Sequence, residues 1–492
     1  MSNEQQLNEL ARDVREQGLN QGSTMKDLVF DPVTGDFRQV ERGTQHGPGD
    51  VVTEMTDKGF AADEENPKVI VVIREDDLNG AVGQLQRKKR IRLPAVEIEE
   101  GVFHVNPDRT SRLVTDDEIG CYMSLEDRLP KIPFGDDWKG ICVLHSDEKP
   151  RAFVSAFSDE EKRNIWREAD LCLIPSEENL FSRSKGILEV GILKDKQVMI
   201  VGLGSFGSRI AVELAQAGVG SFALLDFDRV EIHNLSRHIA TIRDLGRLKT
   251  NVIEEAILGK NPYARVDKFP VNINEDIETL RGEVAKADLV ICATDNNSSR
   301  YNLSLAIANA GKVGIYGRAF TRAEGGDVLI QRPGGPCYCC LVGSGDLQQE
   351  EITDEASARR DGRIAAYVSP EDADAMVQVG LSSDIAPICD MMVKLSLLEL
   401  SRGRESGISC LEDELVYDYY IWANRREKRF SNWKPMPEAG GMPTILRWYG
   451  ARIERDKECP VCGESVTLDG GEDSPTIDSL HEQLKDMNID LG

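Results

Sequence analysis

The sequence is short of positive charge and of long apolar runs. Its 492 residues include 59 Lys and Arg against 85 Asp and Glu, a formal net charge of −26, which argues against general binding to a nucleic-acid backbone. No stretch of eighteen residues is free of charged side chains, so no membrane span is predicted. The first residues, MSNEQQLNELARDVREQG, lack the apolar core of a secretory signal, and we expect a soluble, cytoplasmic protein.

The sequence also lacks the even number of cysteines that a fully disulfide-paired chain would have. Of its 11 cysteines, four form two Cys-x-x-Cys pairs, Cys337 with Cys340 and Cys459 with Cys462. In a reducing compartment, two such pairs predict a tetrahedral thiolate site for structural Zn²⁺ with no open position. Cys339 lies within the first pair and is an alternative to Cys340 as the ligand.

Composition divides the chain into four segments. Residues 1–66 are acidic and rich in turn formers, and we expect them to be mobile or only locally structured. Residues 67–178 have the mixed pattern of an N-terminal α/β domain, whose role is unknown. Residues 179–465 are expected to form a second α/β domain with a crossover loop at about 342–380. Residues 466–492 are an acidic tail that we expect to be disordered or loosely docked.

The N-terminal domain contains no recognisable functional motif. It begins with the apolar run from Val69 to Ile73, which predicts a strand. Further along, GDDWKGICVLHSD followed by SAFSDEEKRNIWREADLCLIP predicts a strand, a helix rich in Glu and Arg, and another strand, with Asp159 as the N-cap of the helix.

The pattern after Gln197 predicts a sheet covered by helices on both faces. Val198–Val201 has the character of a buried strand, a glycine-rich turn follows, and Ser208–Ala217 carries apolar residues at helical spacing. Strands and helices then alternate, as in VICAT, SLAIANAG and KVGIYG. We therefore expect an α/β fold with a mainly parallel sheet.

A Gly-x-Gly-x-x-Gly motif, formed by Gly202, Gly204 and Gly207, lies between the first strand and the first helix of this pattern. Glycines let phosphate oxygens approach backbone N–H groups at the positive end of a helix, where a Cβ would interfere. Asp226 follows 19 residues after Gly207, at the end of the next predicted strand, where a carboxylate accepts hydrogen bonds from ribose hydroxyls. Nicotinamide and flavin oxidoreductases share this pattern, so it indicates only a nucleotide.

Three further segments separate the possibilities: DFDRVEIHNLSRH, GRLKTNVIEEAILGKNP and LVICATDNNSSR. They contain an acidic strand end, Asn-Leu-x-Arg, Gly-x-x-Lys before a helix that ends in Asn-Pro, and Thr-Asp-Asn at the fourth strand end. In these motifs the sequence resembles the superfamily of ThiF, MoeB and the ubiquitin-activating enzymes, over about residues 180–400 and the second cysteine pair. The resemblance implies a Rossmann-like adenylation domain of the ThiF type that binds ATP.

The resemblance also assigns roles to individual residues. The implied nucleotide contacts are Asp226 for ribose, Asn234, Arg237 and Lys249 for phosphates, and Asn296. Asp295 is implied as the acid associated with Mg²⁺, and its strand-end position predicts a buried side chain. The metal and the cations screen the negative charge that a carboxylate meets as it attacks an α-phosphate.

Two more residues flank this predicted site. Arg183, in NLFSRSKGILEVG, matches an arginine that reaches into the active site of a second subunit, which implies a homodimer or pseudodimer. His238 departs from the pattern, because relatives commonly have Arg-Gln where this chain has Arg237 and His238. We assign His238 no catalytic role.

The expected acyl acceptor is also altered. In the shorter ubiquitin-fold-activating enzymes, Gly-x-Cys-x-x-x-x-Pro leads into the last helix, and the matching stretch here, QVGLSSDIAPICDMM, has Ser382 in place of the cysteine. Three hypotheses follow: the enzyme only adenylates, Ser382 forms an oxyester, or another thiol, Cys389 or Cys142, takes the acyl group.

Together the motifs predict an enzyme that uses ATP and Mg²⁺ to adenylate the C-terminal carboxylate of a ubiquitin-like protein with a free terminal glycine. A downstream conjugating enzyme would receive the acyl group, and the chain length and acidity favour a bacterial ubiquitin-like conjugation pathway. The alternatives are a ThiF- or MoeB-like sulfur-carrier-protein adenylyltransferase, an enzyme that activates a tRNA base or a short peptide, a nicotinamide oxidoreductase, and a catalytically inactive nucleotide-fold scaffold.

Overall fold

The computed structural model describes much of the chain. The described residues are 27–30, 37–40, 69–85, 90–93, 95–99, 101–105, 120–124, 129, 140–144, 150–158, 161, 163–343, 380–427, 430–435, 443–464, 466 and 476–486. Most of the segment 1–66 and nearly all of the crossover loop 342–380 lie outside them, so those two predictions stay predictions.

Contacts divide the chain into two compact units, Met1–Pro67 and Lys68–Gly492. In the first unit, β1 (Asp27–Phe30) and β2 (Phe37–Val40) form an antiparallel hairpin. The described residues of the second unit form two eight-stranded sheets, and both are mixed.

The first large sheet is built from the N-terminal part of the second unit. Its strands are β3 (Ile70–Arg74), β4 (Arg90–Leu93), β5 (Ala95–Glu99), β6 (Val102–Val105), β7 (Gly120–Ser124), β8 (Gly140–Leu144), β9 (Arg151–Ser158) and β10 (Arg163–Ile174). Their spatial order is β4-β7-β8-β9-β10-β3-β6-β5. Helix α1 (Glu75–Leu85) contacts β3, β4 and β7, and three acidic residues in its first turn complement the positive end of the helix.

The helix predicted after Asp159 is wrong. Arg163–Ile174 is strand β10, antiparallel to β9 with Arg163 opposite Ser158. Its Glu and Arg content favours a helix, but Ala169 and Leu171 face one apolar cluster while the residues on either side of Ala169 are exposed. This two-residue alternation buries one face of a strand, and that burial outweighs a difference in helix propensity.

The second large sheet carries the predicted site. Its strands are β11 (Gln197–Val201), β12 (Ser221–Leu225), β13 (Arg265–Phe269), β14 (Leu289–Cys292), β15 (Gly314–Ala319), β16 (Gly325–Gln331), β17 (Tyr419–Ala423) and β18 (Arg447–Ala451). The order is β13-β12-β11-β14-β15-β16-β17-β18, parallel from β13 to β15 and antiparallel from β15 to β18. The sheet is therefore mixed: four of its seven strand pairings are parallel, and the other three are antiparallel, beginning where the short link from β15 to β16 allows only an antiparallel return.

Helices cover both faces of this sheet. They are α2 (Glu177–Leu180), α3 (Val190–Leu193), α4 (Ser205–Gln216), α5 (Lys249–Leu258), α6 (Ile277–Lys286), α7 (Asn297–Asn309), α8 (Tyr338–Gly343), α9 (Ser382–Ser401) and α10 (Ile477–Asp486). Val198 and Ile200 of β11 pack in the cluster that includes α4, α5 and α9, whereas Met199 and Val201 pack with α6, α7, α8 and α10. Because helices cover both faces of the sheet, both faces of β11 are buried, which explains its continuous apolar run. Within the described ranges, no helix is long and apolar enough to cross a membrane.

The tail was predicted to be disordered or loosely docked, and within it helix α10 docks on the core. Ile477, Leu480 and Leu484 lie at helical spacing and are buried in the same cluster as α7. The Nε2 atom of His481 lies 2.9 Å from Oδ1 of Asn302. The acidic composition concealed this narrow apolar stripe, which is enough to dock a short helix.

Candidate active site

The strand order of the second sheet reverses between β11 and β14. From β11 the chain continues through β12 to β13 at one edge, and then returns to the other side of β11 with β14 and β15. The loops after β11 and β14 are therefore neighbours, which is the position where open α/β sheets bind ligands. Gly202 directly follows β11, and Asp295 lies in the loop after β14.

The three glycines of the turn serve different purposes. Gly202 has a φ of +84°, and a Cβ on it would lie 2.7 Å from the carbonyl oxygen of Ala293. A Cβ on Gly207 would lie 1.9 Å from the carbonyl oxygen of Gly202. A Cβ on Gly204 would meet nothing within 4 Å. Packing within the protein thus requires the outer two glycines, whereas the middle one faces open space that a ligand can use.

Helix α4 begins directly after this turn. Its N-cap, Gly204, provides no side-chain hydrogen bond. The first N–H groups of an α-helix have no partner within the helix and carry its positive partial charge. The turn and the start of α4 therefore form a cradle suited to an anion such as phosphate.

Asp226 immediately follows β12 and is buried against the turn. Its Oδ2 atom accepts a hydrogen bond from the Leu203 N–H at 2.6 Å, and its Oδ1 atom accepts one from the Asp228 N–H at 2.8 Å. Burial raises the pKa of Asp226, although nearby Lys249 and the two backbone donors oppose this effect. The remaining lone pairs of the carboxylate are available to ribose hydroxyls. Asp226 also braces the glycine turn, a role that the motif alone does not reveal.

Lys249 is the buried first residue of α5. Its Nζ atom donates to Oδ2 of Asp228 at 2.8 Å. Asp228 lies two residues after Asp226 in the chain. Asp228 is not among the residues predicted from the motifs. It is the second acid of the DFD segment that follows β12, and that repeated acid could have indicated it. This pair keeps a cation beside the acidic strand end.

Asn234 and Arg237 lie on the loop between β12 and α5, and both are half-buried. The Oδ1 atom of Asn234 accepts a hydrogen bond from the Glu231 N–H at 2.9 Å, which closes a single turn of 3-10 helix. Burial lowers the pKa of Arg237. The loop thus carries a polar amide and a partly desolvated cation.

Asp295, Asn296 and Arg183 occupy more open positions. Asp295 is exposed, which corrects the prediction of a buried acid, because it lies beyond the end of β14 in the loop before α7. Asn296 is the N-cap of α7, and its Oδ1 atom accepts a hydrogen bond from the Ser299 N–H at 2.8 Å. Arg183 is exposed on a short 3-10 helix, Ser182–Ser184.

The four predicted cysteine ligands come together although 122 residues separate the two pairs. All are buried, and their sulfurs lie within 4.8 Å of one another. The Sγ–Sγ distances are 3.5 Å between Cys337 and Cys459, and 3.4 Å between Cys340 and Cys462. A tetrahedral Zn²⁺ site with Zn–S bonds of ~2.3 Å has edges of about 3.8 Å, so the donor set fits this metal. Cys339 is buried outside the group.

The three candidate acyl acceptors differ in accessibility. Ser382 is the exposed first residue of α9. Cys389 is fully buried in the same helix, and burial raises its pKa to about 12. Cys142 is fully buried in β8 of the first large sheet. Of the three, only the serine side chain lies at the surface.

A buried polar network joins the cysteine cluster to the loop after β14, and no motif in the sequence predicts it. Tyr338 lies on α8 next to the first cysteine ligand, and its hydroxyl donates to Oδ1 of Asn297, the first residue of α7, at 3.0 Å. Arg318 Nε donates to Oδ1 of Asp327 at 2.9 Å, and the hydroxyl of Tyr419 donates to Oδ2 of Asp327 at 2.7 Å. Arg318 also lies over the ring of Tyr338.

A glycine turn at a topological switch point, with a carboxylate at the end of the second strand, defines the nucleotide-binding class of α/β folds. Residues 186–403 match the ThiF family. The chain therefore contains a ThiF family domain.

The chain is also similar to individual proteins. Molybdopterin-synthase adenylyltransferase of Escherichia coli (strain K12) is 39% identical over 30% of this chain and 59% of its own length. Ubiquitin-like modifier-activating enzyme 5 of Dictyostelium discoideum is 28% identical over 54% of this chain and 68% of its own length. Among solved structures, E. coli MccB with MccA-N7isoASN is 20% identical, with a TM-score of 0.40 over 56% of this chain and 69% of that one. The chain thus spans less than two thirds of the molybdopterin-synthase relative.

Proposed function

We propose that this protein is an adenylyltransferase that uses ATP to activate the C-terminal carboxylate of a ubiquitin-like or sulfur-carrier protein. The observation that carries the proposal is the cradle at the switch point, where Gly204 faces open space beside the carboxylate of Asp226. The ThiF family domain supports it, as do the two curated relatives, one named as an adenylyltransferase and one as a modifier-activating enzyme.

The reaction begins when a carboxylate oxygen of the carrier protein attacks the α-phosphorus of ATP. A new O–P bond forms, the bond to the β-phosphate oxygen breaks, and acyl-AMP and pyrophosphate result. The turn and α4 hold the phosphates, Asp226 accepts hydrogen bonds from ribose, and Asn234, Arg237, Lys249 and Asn296 provide the remaining contacts. These residues offset the charge repulsion between the carboxylate and the triphosphate.

Two metals complete the proposal. Asp295, exposed in the loop after β14, would hold Mg²⁺, which supplies positive charge against the phosphates when bound. The buried cluster of Cys337, Cys340, Cys459 and Cys462 would hold a structural Zn²⁺. Four thiolates leave no open coordination position, so this zinc takes no part in the reaction.

Ser382 is our preferred acceptor for the activated acyl group. Its hydroxyl is exposed, whereas the thiols of Cys389 and Cys142 are buried. In this step Oγ attacks the acyl carbon, an ester bond forms, the bond from that carbon to the AMP phosphate oxygen breaks, and the hydroxyl proton passes to solvent. A downstream conjugating enzyme would then receive the acyl group, and Arg183 would complete the site of a second copy in a homodimer.

Pyrophosphate exchange tests the proposal directly. Purified protein is mixed with ATP, labelled pyrophosphate and candidate carrier proteins that end in glycine, and label in ATP is measured. We expect exchange with the cognate carrier and none in Asp295→Ala, while Asp267→Ala, a surface acid on β13, behaves as the wild type. ATP binding without exchange for any carrier would instead favour an inactive scaffold.

Ser382→Ala separates adenylation from transfer. The variant should keep pyrophosphate exchange and lose a hydroxylamine-sensitive adduct between enzyme and carrier. If no such adduct exists in the wild type, the enzyme only adenylates. If Ser382→Ala loses exchange while its fold is intact, the residue acts in the adenylation step itself.

A further inference from the structure

The peptide groups of Leu203 are held from two sides. Leu203 lies between the first two glycines of the turn and is fully buried. Its N–H donates to Asp226, as described above, and its carbonyl oxygen lies 2.8 Å from Nε2 of His238. His238 is itself buried and comes from the loop between β12 and α5. Two side chains from different parts of the chain therefore clamp one residue of the turn.

The partners of His238 determine its protonation state. Its Nδ1 atom accepts a hydrogen bond from the Ala240 N–H at 2.9 Å. Because a backbone N–H can only donate, Nδ1 carries no proton, and because the Leu203 carbonyl can only accept, Nε2 carries one. The ring is therefore the neutral Nε2–H tautomer, with both nitrogens in use.

The clamp on Leu203 also sets the direction of the next N–H group. The carbonyl of Leu203 and the N–H of Gly204 belong to one planar trans peptide and point in opposite directions. Fixing that carbonyl against His238 aims the Gly204 N–H away from the ring. Gly204 is the N-cap of α4, and a Cβ on it would meet no described atom within 4 Å.

We propose that His238 is a positioning residue for nucleotide binding: as the neutral imidazole it holds the Leu203–Gly204 peptide in the orientation that receives phosphate, and its protonation releases that peptide and weakens ATP binding. An imidazolium carries N–H groups on both nitrogens. The Nδ1–H group would then face the Ala240 N–H, and two donors that face each other cannot form a hydrogen bond. The inference rests on the proposed function, because it concerns the same nucleotide.

The surroundings of His238 favour the neutral form. Burial is the largest influence and lowers its pKa, and the charge of Lys249 on α5 acts in the same direction. The hydrogen bond to the Leu203 carbonyl and the charge of Asp244, on the 3-10 helix Ile242–Asp244 of the same loop, oppose them. Asp226 meets the other side of Leu203. Neutral imidazole therefore prevails near neutral pH, and the change falls below the ordinary histidine pKa of ~6.5.

The test compares ATP affinity across pH in the full-length wild type, His238→Gln and His238→Phe. Calorimetric titration with ATP between about pH 5 and pH 7.5 spans the ordinary histidine pKa. His238→Phe should bind about tenfold more weakly near pH 7.5, the effect expected for the loss of a buried hydrogen bond. His238→Gln has an amide donor and a carbonyl acceptor, so it should recover most of that loss.

The ratio of wild-type to His238→Gln affinity for ATP reports the contribution of the histidine alone. The protonation of ATP affects both affinities equally and cancels in the ratio. We expect this ratio to fall as the pH drops below the ordinary histidine pKa, and to lose up to about tenfold once the imidazole is protonated. His233→Gln, which removes an exposed histidine on the same loop, should keep the wild-type profile. Imidazole ¹⁵N chemical shifts should report a proton on Nε2 and none on Nδ1 near pH 7.5.

Three outcomes would overturn the inference. They are an affinity ratio that stays constant across pH, wild-type ATP affinity in His238→Phe, and a proton on Nδ1 at neutral pH. If the wild type binds no ATP at any pH, the proposed function fails and this inference fails with it. If ATP binds but the ratio stays flat, only the role of His238 is lost.

Discussion

The two large sheets each have eight strands and a mixture of strand directions, but within the described residues it is the second that brings the predicted site residues to neighbouring loops. In the first sheet, parallel pairs are interrupted by antiparallel ones, from β7–β8 to β10–β3. In the second, four consecutive parallel pairings place the ends of β11 and β14 side by side. A site therefore depends on where parallel strand ends meet at a reversal of strand order, and not on the size of the sheet.

The sheets also differ in how they hold charge. The first displays Arg151 and Glu168 as an ion pair between β9 and β10, with both side chains 56% exposed. The second buries Arg318 and Asp327 between β15 and β16, at 4% and 1% exposure. A buried pair must be fully hydrogen-bonded to offset its loss of hydration, so the second sheet tolerates far less change.

The largest contrast is expected from two glycines. Gly207→Ala places a Cβ 1.9 Å from the Gly202 carbonyl oxygen, so the turn must open. Displacement of about 1 Å at a reacting group costs about 100-fold, and we expect pyrophosphate exchange to fall by at least that factor.

Gly80→Ala provides the matched substitution beside the first sheet. Gly80 is exposed in α1, and a Cβ there meets nothing within 4 Å. We expect stabilisation of about 0.5 to 1 kcal/mol and unchanged exchange. Normal exchange in Gly207→Ala would show that the turn is not the functional element that distinguishes the sheets.

The second contrast concerns buried thiols. Cys459→Ser removes one of four sulfurs, so we expect the wild type to contain about one Zn²⁺ per chain and the variant to lose it, with a large fall in the thermal unfolding midpoint. Elemental analysis and calorimetry measure both effects, and a strong chelator should reproduce the change in the wild type.

Cys142→Ala is the comparison for that variant. Cys142 is also fully buried, but in the first sheet and away from the four-cysteine group. Its loss should cost about 1 kcal/mol through a small cavity and leave the metal content unchanged. Equal effects of the two substitutions would argue that the cluster holds no metal.

The third contrast concerns the two ion pairs. Arg318→Met leaves Asp327 as an unpaired buried charge, and we expect the free energy of unfolding to fall by about 3 to 5 kcal/mol in denaturant titration. Glu168→Gln in the exposed pair should cost less than about 1 kcal/mol. Combining Arg318→Met with Asp327→Leu should recover much of the loss; no recovery would mean that packing, not charge, sets the cost.

The smallest effect is expected at His104 in β6. Burial lowers the pKa of His104, so the folded state disfavours its protonated form. The stability it contributes is full above about pH 6.5 and is lost as the pH falls below that value. His104→Gln should therefore flatten the decline of the urea midpoint on the acid side without changing ATP affinity. A change in ATP affinity in His104→Gln would contradict this prediction, because it would give His104 the same effect that we propose for His238.

Local sequence patterns predicted the parallel half of the second sheet, because glycine conformation, apolar runs and helix starts act over a few residues. Gly202, Asp226 and Lys249 lie at the strand and helix ends where the motifs predict them. The four cysteines were predicted from spacing alone, since two-residue spacing lets both sulfurs face one ion.

Other features depend on contacts between distant segments. Arg163–Ile174 has the composition of a helix but pairs with β9, and α10 has the composition of a disordered tail but docks on the core. Asp295 was expected to be buried, yet it lies in the loop after β14 and is exposed. In each case neighbours from elsewhere in the chain decided the outcome.

By itself, the sequence determined the kind of chemistry this protein can hold: an anion cradle, an acidic strand end and four thiols at metal spacing. Only the tertiary structure decided that Asp226 and His238 both hydrogen-bond to Leu203 of the glycine turn, Asp226 to its N–H and His238 to its carbonyl oxygen. The reason is that motifs report backbone conformation within a few residues, whereas a clamp of this kind exists only after strands and loops far apart in the chain have packed together.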